Sequence, residues 1–218
     1  MRRPTLIITT TAAACALAMV APPAVAQTRL LHQPDISTSS VAFAYAGDIW
    51  LAPRAGGDAR RVTSSPGVEK DPHFSPDGKW LAFTATYGGN DDVWVVNVDS
   101  GTPRRLTWHP GPDDVRGWTP DGKRVVFVST RAGVPDGEPQ LWTVGLGGGL
   151  PERLPVQRAQ AGALAADGVQ LAYQLVRPWE SEMRNYRGGQ NQPIRVFNLG
   201  TDSLYRLPWT DSRDQQPV

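Results

Sequence analysis

The sequence has 218 residues, of which 40% are hydrophobic and 20% charged, proportions that are ordinary for one or two globular domains. Its 22 Lys and Arg residues nearly balance its 21 Asp and Glu residues, so there is no basic excess of the kind that binds nucleic acid. The 22 Gly and 20 Pro residues interrupt the chain too often for long helices.

The first 26 residues have the features of a secretory signal peptide. Arg2 and Arg3 form a positively charged start, residues 6–20 are apolar or small, and Ala24-Val25-Ala26 offers a cleavage site before Gln27. A retained membrane anchor is the alternative, but the stretch is short and threonines interrupt it. We therefore expect an exported protein, periplasmic or extracellular, without a transmembrane span after signal removal.

Cleavage would also remove the only cysteine, Cys15, and would leave 20 basic and 21 acidic residues. The mature chain would then have no disulfide and no cysteine-based metal site. The segment Ala12-Ala13-Ala14-Cys15 is only weakly similar to a lipoprotein cleavage box, because it lacks the usual leucine, so lipid anchoring is the less favoured alternative.

The rest of the chain repeats itself. F-S-P-D-G-K-W-L-A-F at 74–83 recurs as W-T-P-D-G-K-R-V-V-F at 118–127 and, more weakly, as L-A-A-D-G-V-Q-L-A-Y at 164–173. Downstream of the phrase, Trp94 and Trp142 are 48 residues apart. A repeat of about 40–50 residues is typical of β-propeller blades.

Each unit predicts four strands, which in the second unit are Asp71–Phe74, Lys79–Ala85, Val93–Val98 and Arg104–Thr107. The middle strands are nearly continuous apolar runs, which indicates burial on both faces between neighbouring blades. The outer strand carries paired Arg and Thr and is expected to face water at the rim.

The S-P-D-G phrase at 75–78 predicts a hairpin turn, with proline fixing φ and Gly78 taking the positive-φ position. Calcium binding is the competing interpretation of Asp77 and Asp121. A calcium loop needs several oxygen ligands at alternating positions, and one Asp in a turn does not supply them.

We predict an all-β fold: a β-propeller of four-stranded antiparallel blades, with about four blades present. The signal peptide would occupy 1–26 and the propeller 27–218. The blades are expected at 30–64, 65–108, 109–156 and 157–210, with the start of a fifth at 211–218. In the fourth unit, Arg195-Val196-Phe197 is matched to Asp92-Val93-Trp94 of the second unit.

The phrases S-P-D-G-K-W-L-A-F, D-V-W-V-V-N-V-D-S-G and R-R-L-T resemble the PD40 or TolB-like propeller repeat. A longer pattern, which includes L-L-H-Q-P-D-I-S, S-S-P-G-V-E-K-D-P-H-F-S-P-D-G and R-N-Y-R-G-G-Q-N-Q-P-I, is narrower. Across 30–218 it resembles the N-terminal six-bladed propeller of bacterial tricorn protease homologues, serine peptidases of the S41 family.

The resemblance implies that the four blades are part of an incomplete six-bladed ring. In that family a second propeller, a PDZ domain and a catalytic core follow. The propeller would then gate or channel peptides to or from the core, and its partners would be peptides, the remaining domains of the parent polypeptide and, in an oligomer, further copies of itself.

No catalytic site is expected in the chain itself. It contains no G-x-S-x-G nucleophile elbow, and His32, His73 and His109 have neither a neighbouring nucleophile motif nor the spacing of metal ligands. We therefore expect no catalytic residue, no cofactor and no metal site.

Peptide contacts are expected in the channel and at the mouth, where the loops between blades meet those joining second and third strands. The candidate channel residues are His73 and Arg116, and the candidate mouth residues are Arg131, Arg184 and Arg187. Arg116 is expected to hold a peptide carboxylate by a charge-assisted hydrogen bond. Acidic residues expected on the same face are Glu69, Asp91, Asp113 and Asp114.

Other interpretations remain open. The chain is alternatively a self-standing TolB-like propeller that mediates protein–protein binding in the cell envelope, closed as a small ring or by oligomerisation. A third interpretation is the propeller of another exported hydrolase.

Overall fold

The computed structural model describes residues 30–133, 137–175, 193–207 and 217. Within these residues, sixteen strands form four antiparallel sheets, and each sheet contains four consecutive strands in order. The expected all-β architecture of four-stranded blades is therefore confirmed. None of the described residues forms a helix long and apolar enough to cross a membrane.

Blade 1 consists of β1 (His32–Ile36), β2 (Ser40–Tyr45), β3 (Asp48–Pro53) and β4 (Arg60–Arg61). Blade 2 consists of β5 (Glu69–Phe74), β6 (Trp80–Ala85), β7 (Asp92–Asn97) and β8 (Arg104–Arg105). Blade 3 consists of β9 (Asp113–Trp118), β10 (Arg124–Ser129), β11 (Gln140–Gly145) and β12 (Glu152–Arg153). Blade 4 consists of β13 (Ala161–Leu164), β14 (Gln170–Gln174), β15 (Arg195–Asn198) and β16 (Ser203–Arg206).

The middle strands are buried on both faces, as their apolar runs predicted. All residues of β6 after Trp80 and all residues of β10 after Arg124 are buried. They contribute to three apolar clusters, one between each pair of adjacent blades, with Phe83 in the first, Phe127 in the second and Val126 in the third. Burial of these clusters against neighbours stabilises the stack.

The two ends of the blades differ. The hairpin turns that follow first strands lie at one end, here the turn end, together with the turns that follow third strands. The loops between second and third strands and those between blades lie at the other end, here the mouth end. In the turns after first strands, Gly78, Gly122 and Gly168 have φ of 71°, 67° and 69°, as the sequence predicted.

The aspartates of these turns serve the turns themselves. Asp77 Oδ1 accepts hydrogen bonds from Ser75 Oγ at 2.6 Å and from the Lys79 amide at 3.1 Å. The Ser75 hydroxyl and the Lys79 amide hold the pKa of Asp77 below its usual value. The same contacts recur at Asp121, whose Oδ1 accepts from Thr119 Oγ1 at 2.6 Å.

The expectation that the threonine after the outer strand faces water was wrong. The outer strand of blade 2 ends at Arg105, and Thr107 is buried. Its Oγ1 accepts a hydrogen bond from the Val93 amide at 3.0 Å, and Thr63 does the same for the Ile49 amide at 2.9 Å. The threonine thus satisfies a buried donor of the third strand that the short outer strand leaves unpaired.

The alignment of the fourth unit was also wrong, by two residues. Phe83 pairs with Trp94 in blade 2, and the corresponding Tyr173 pairs with Arg195 rather than with Phe197. The turn explains the register, because Asn198 Oδ1 caps it by accepting from the amides of residues 200 and 201 at 2.9 Å. Asn97 Oδ1 makes the equivalent bonds in blade 2.

Candidate functional site

The first strands of adjacent blades lie side by side and form a surface that we call the inner wall: β1, β5, β9 and the start of β13. Hydrogen bonds join neighbours along it. The Phe74 amide donates to Asp35 Oδ2 at 2.6 Å, and the Trp118 indole Nε1 donates to the His73 carbonyl oxygen at 2.9 Å. The wall is therefore continuous from one blade to the next.

β-Bulges shape this wall. The bulges of β1 and β5 each contain a non-glycine residue with positive φ, Gln33 at 52° and Asp71 at 51°, and a proline follows each. A bulge redirects its side chain, and here it turns the two residues toward each other. Gln33 Nε2 donates to Asp71 Oδ1 at 2.6 Å, and the Asp71 amide donates to Gln33 Oε1 at 3.2 Å.

Arg116 lies in the bulge of β9, between two carboxylates. Its guanidinium nitrogens are 3.7 Å from Asp71 Oδ2 and 3.7 Å from Asp114 Oδ2. It also donates to the Gln160 carbonyl oxygen at 3.1 Å and to the Val115 carbonyl oxygen at 2.7 Å. Its charge and several of its donors are thus already engaged by the protein.

Lys70 extends the same pattern toward the mouth end. Its Nζ is 2.8 Å from Asp91 Oδ2 and 2.9 Å from Asp114 Oδ1. Burial opposes its charge, but the two carboxylates outweigh burial and raise the pKa of Lys70. Burial likewise opposes the charge of Asp91, but Lys70 and the Thr86 hydroxyl lower its pKa.

His73 lies half-buried beside these charges. Burial lowers the pKa of His73 although Asp35 and Asp71 act in the opposite direction, so the imidazole is neutral at pH 7. Burial also raises the pKa of Asp71, and Arg116 offsets part of that effect. The wall therefore combines a neutral imidazole with closely spaced carboxylates.

Cations and carboxylates alternate along the wall in the order Asp91, Lys70, Asp114, Arg116, Asp71. Asp35 adds a further carboxylate, so acidic groups outnumber basic ones. Such a surface can bind polar backbone groups by hydrogen bonding and favours cationic groups over anionic ones. Binding of a peptide carboxylate by Arg116 stays a prediction, made in a more acidic neighbourhood than the sequence indicated.

The structure brings Arg116 and His73 together on the wall, but it places Arg131 elsewhere. Arg131 lies against blade 3 with its side chain 13% exposed, and it donates to Asp113 Oδ2 at 2.5 Å and to Ser129 Oγ at 3.1 Å. Its guanidinium also lies 5.0 Å from the ring centroid of Phe127 and 5.4 Å from that of Trp142. Arg184 and Arg187 lie outside the described residues.

Three of the four acids expected on the mouth face are buried: Asp114, which pairs with Lys70 and Arg116, and also Glu69 and Asp113. Glu69 is 1% exposed and Asp113 is 0% exposed. Glu69 accepts hydrogen bonds from the hydroxyls of Thr63 and Tyr87, whereas Asp113 pairs with Arg131. Glu69 thus links β5 to the loops on either side of its hairpin, and Asp113 links β9 to the loop that follows β10.

Sequence reasoning missed Gln33, Asp35, Lys70 and Asp71 as parts of the site. A signal was present: Gln33-Pro34 and Asp71-Pro72 occupy the same position in consecutive units. A proline inside a strand disrupts regular pairing, which favours a bulge. The contact between the two residues, 38 positions apart, could not be inferred from that signal.

Residues 28–218 match the protein family described as the tricorn protease N-terminal beta propeller domain. Among curated proteins, a Tricorn-like protease N-terminal subunit from Sulfurisphaera tokodaii is 42% identical over 66 residues. That alignment covers 28% of this chain and 33% of the relative, so it spans about a third of the relative's length.

Solved structures show the same fold. The tricorn protease aligns with a TM-score of 0.72 at 24% identity, over 87% of this chain and 19% of that one. TolB from Acinetobacter baumannii aligns with a TM-score of 0.62 at 26% identity, over 81% of this chain and 43% of that one. The described blades thus correspond to part of each larger protein.

Proposed function

Because the chain belongs to the family of tricorn protease N-terminal β-propeller domains, we propose that it is the non-catalytic propeller portion of an exported tricorn-like serine peptidase. In that role it gates or channels peptides to or from a catalytic core outside residues 1–218. The cleavable N-terminal signal in 1–26 directs the protein to the periplasm or the medium.

The observation that carries this proposal is the inner wall. Its carboxylates, cations and neutral imidazole form a continuous polar surface across adjacent blades, from Gln33 in β1 to the Gln160 carbonyl oxygen beside β13. Peptides present amide groups and termini of both charges, which such a surface can hold by several weak contacts. Weak multiple contacts suit passage, since tight binding would retain the peptide.

The partners follow from the same premise. The chain covers 19% of the tricorn protease chain, which leaves room in a parent polypeptide for a second propeller, a PDZ domain and a catalytic core. These domains and peptides are the proposed partners, and assembly of several copies is compatible with the role.

The first test identifies the native gene product. An antibody raised against residues 27–218 is applied to cytoplasmic, periplasmic and secreted fractions of the source cell, with a strain lacking the gene as control. We expect the antigen in an exported fraction, in a polypeptide or complex several times larger than 218 residues. The immunoprecipitate should hydrolyse fluorogenic peptides, and a serine-directed inhibitor should abolish that hydrolysis.

The opposite outcome is equally clear. Antigen at the size of the mature chain, precipitated without inhibitor-sensitive peptidase activity, would overturn the proposal. Antigen confined to the cytoplasm would overturn its exported location.

A second candidate function is a TolB-like module that binds proteins of the cell envelope. The 26% identity to TolB over 81% of the chain favours it. Chemical cross-linking in intact cells separates the two candidates, because the envelope module would be captured with a non-peptidase protein.

A further inference from the structure

Adjacent blades are closed against each other at the turn end, except between blades 3 and 4. A β-carbon on Gly78 would lie 3.6 Å from Ser37 Cβ, and one on Gly122 would lie 3.6 Å from Pro76 Cδ. The hairpin turns of blades 1 to 3 therefore lie close to one another. Among the described residues other than its two chain neighbours, none has a heavy atom within 4 Å of the same point on Gly168, the equivalent glycine of blade 4.

The same junction lacks the arginine hydrogen bond that joins the outer strands of blades 1 and 2 to the next blade. Arg60 of blade 1 donates to the Val98 carbonyl oxygen of blade 2 at 2.5 Å, and Arg104 of blade 2 donates to the Leu146 carbonyl oxygen of blade 3. The equivalent residue of blade 3 is Glu152, which has no donor to offer. Its carboxylate is instead 3.2 Å from the guanidinium of Arg124.

Two residues of blade 3 that face blade 4 differ from their equivalents in blade 2, and they are hydrogen-bonded to each other. Trp80 and Val95 of blade 2 pack in the apolar cluster shared with blade 3. Their equivalents in blade 3 are Arg124 and Thr143, and Arg124 Nε donates to Thr143 Oγ1 at 2.9 Å. The face of blade 3 that is directed at blade 4 is therefore polar near the turn end. The equivalent face of blade 2, which is directed at blade 3, is apolar there.

These differences leave a groove of about 510 Å³ between the two blades. Leu154, Leu164 and Leu199 provide apolar lining, and Asp121 and Asp167 contribute one carboxylate from each flanking turn. Glu152 is also acidic, but Arg124 balances its charge. The groove thus combines an apolar patch of three leucines, a polar side formed by Arg124 and Thr143, and two acidic edges.

The carboxylates at these edges are available to a ligand. Asp167 Oδ1 accepts from the amides of Val169 and Gln170, and no basic side chain among the described residues forms an ion pair with it. Asp121 lies 3.9 Å from Lys123, but both side chains are more than half exposed and water screens the pair. Both aspartates occupy turns that hold them in place.

We propose that this groove is a docking site for a cationic peptide segment. A Lys or Arg side chain would lie between Asp121 and Asp167, and a neighbouring apolar side chain would cover the leucines. Complementary charge and apolar burial both select this class of ligand. The site lies at the turn end, away from the mouth end, so it does not rest on the proposed function.

The test uses the full chain and a fluorescent peptide, Leu-Lys-Leu-Lys, acetylated and amidated so that it lacks terminal charges. We expect saturable binding at low salt in fluorescence anisotropy. The double variant Asp121→Asn/Asp167→Asn should bind about fivefold more weakly, since each exposed ion pair contributes about two- to threefold. Asparagine retains the Oδ1 acceptor, so the turns are preserved.

The matched control is Asp77→Asn, the same change in the turn of blade 2, which should leave the affinity unchanged. Absence of binding, equal binding of a Leu-Glu-Leu-Glu peptide, or an equal loss in the control variant would overturn the proposal. Sedimentation of the chain tests the other occupant. If the double variant converts a dimer to a monomer and the peptide does not bind, the groove holds a second copy.

Discussion

At the scale of single residues, the third strand of every blade carries a side-chain N–H donor that is buried at the same position. These donors are Trp50 Nε1, Trp94 Nε1, Trp142 Nε1 and Arg195 Nε, and none has a hydrogen-bond partner among the described residues. The indoles therefore contribute apolar area and ring contacts, such as the edge-on contact of Trp94 with Tyr87 at 4.6 Å between centroids.

Tryptophans with unpaired and with hydrogen-bonded indoles should respond differently to substitution by phenylalanine. Trp94→Phe should change the free energy of unfolding by less than about 1 kcal/mol, because it removes an unsatisfied donor as well as area. Trp118→Phe should cost about 1–3 kcal/mol, because the indole hydrogen bond to the His73 carbonyl oxygen is lost. Urea unfolding of both variants checks this, and equal losses would contradict it.

The contributions of two carboxyl groups to the free energy of unfolding should change with pH in opposite directions. Burial raises the pKa of Glu69 above 4.5, so the folded state holds its proton more tightly than the unfolded state. Its contribution to stability therefore decreases as pH rises from about 4.5 through the folded pKa. Asp91, with a pKa lowered below 3.8, contributes stability above that pH and loses it as pH falls through the folded pKa.

Unfolding free energies of the wild type, Glu69→Gln and Asp91→Asn between pH 3 and about 7 test these signs. Relative to the wild type, Glu69→Gln should gain stability as pH rises and Asp91→Asn should lose it. Parallel curves for the two variants would show that neither group is perturbed as described.

At the scale of strands, the inner wall depends on bulges in three blades and on their absence in the fourth. β13 pairs with β14 without a register shift, whereas β1, β5 and β9 each have one. Strand order and turns followed from the sequence, because the apolar runs and the D-G turns are local signals. The wall did not, because a bulge depends on contacts between residues distant in sequence.

The straight strand of blade 4 requires a glycine. A β-carbon on Gly162 would lie 2.6 Å from Leu141 Cδ1 and 3.0 Å from the Ala172 carbonyl oxygen. Gly162→Ala should therefore destabilise the protein by about 1–3 kcal/mol through overpacking. Gly147→Ala is the matched control, because its added carbon would meet no heavy atom within 4 Å in the described part of the chain apart from its two chain neighbours. Denaturant midpoints that fall equally in both variants would refute the packing argument.

At the scale of the whole molecule, the sequence repeat predicted the architecture, whereas the residues that differ between blades determine the charge and polarity of the surfaces. Arg131 illustrates the limit. Its place in a loop between second and third strands favoured an exposed mouth residue, but its guanidinium pairs with the buried carboxylate of Asp113. A buried charge needs a partner, and only the three-dimensional structure identifies which one.

The stack predicts a gradient of local stability. Blades 2 and 3 pack on a described blade at both faces, whereas blades 1 and 4 do so at one face. In a one-dimensional array, stability depends on such neighbour contacts. Hydrogen exchange of the full chain should show slowest exchange in β6, β7 and β10. Equal protection in β2 and β14 would mean that another molecule covers the outer faces.

The shared partners along the inner wall constrain how the repeats can diverge. Asp114 pairs with both Lys70 and Arg116, and Arg116 also pairs with Asp71. A substitution at one of these positions therefore removes an ion-pair partner from a residue in the adjacent blade. Asp77, by contrast, forms its hydrogen bonds within its own turn. Among homologues we therefore expect the wall positions to covary across blades, while the turn of blade 2 varies independently.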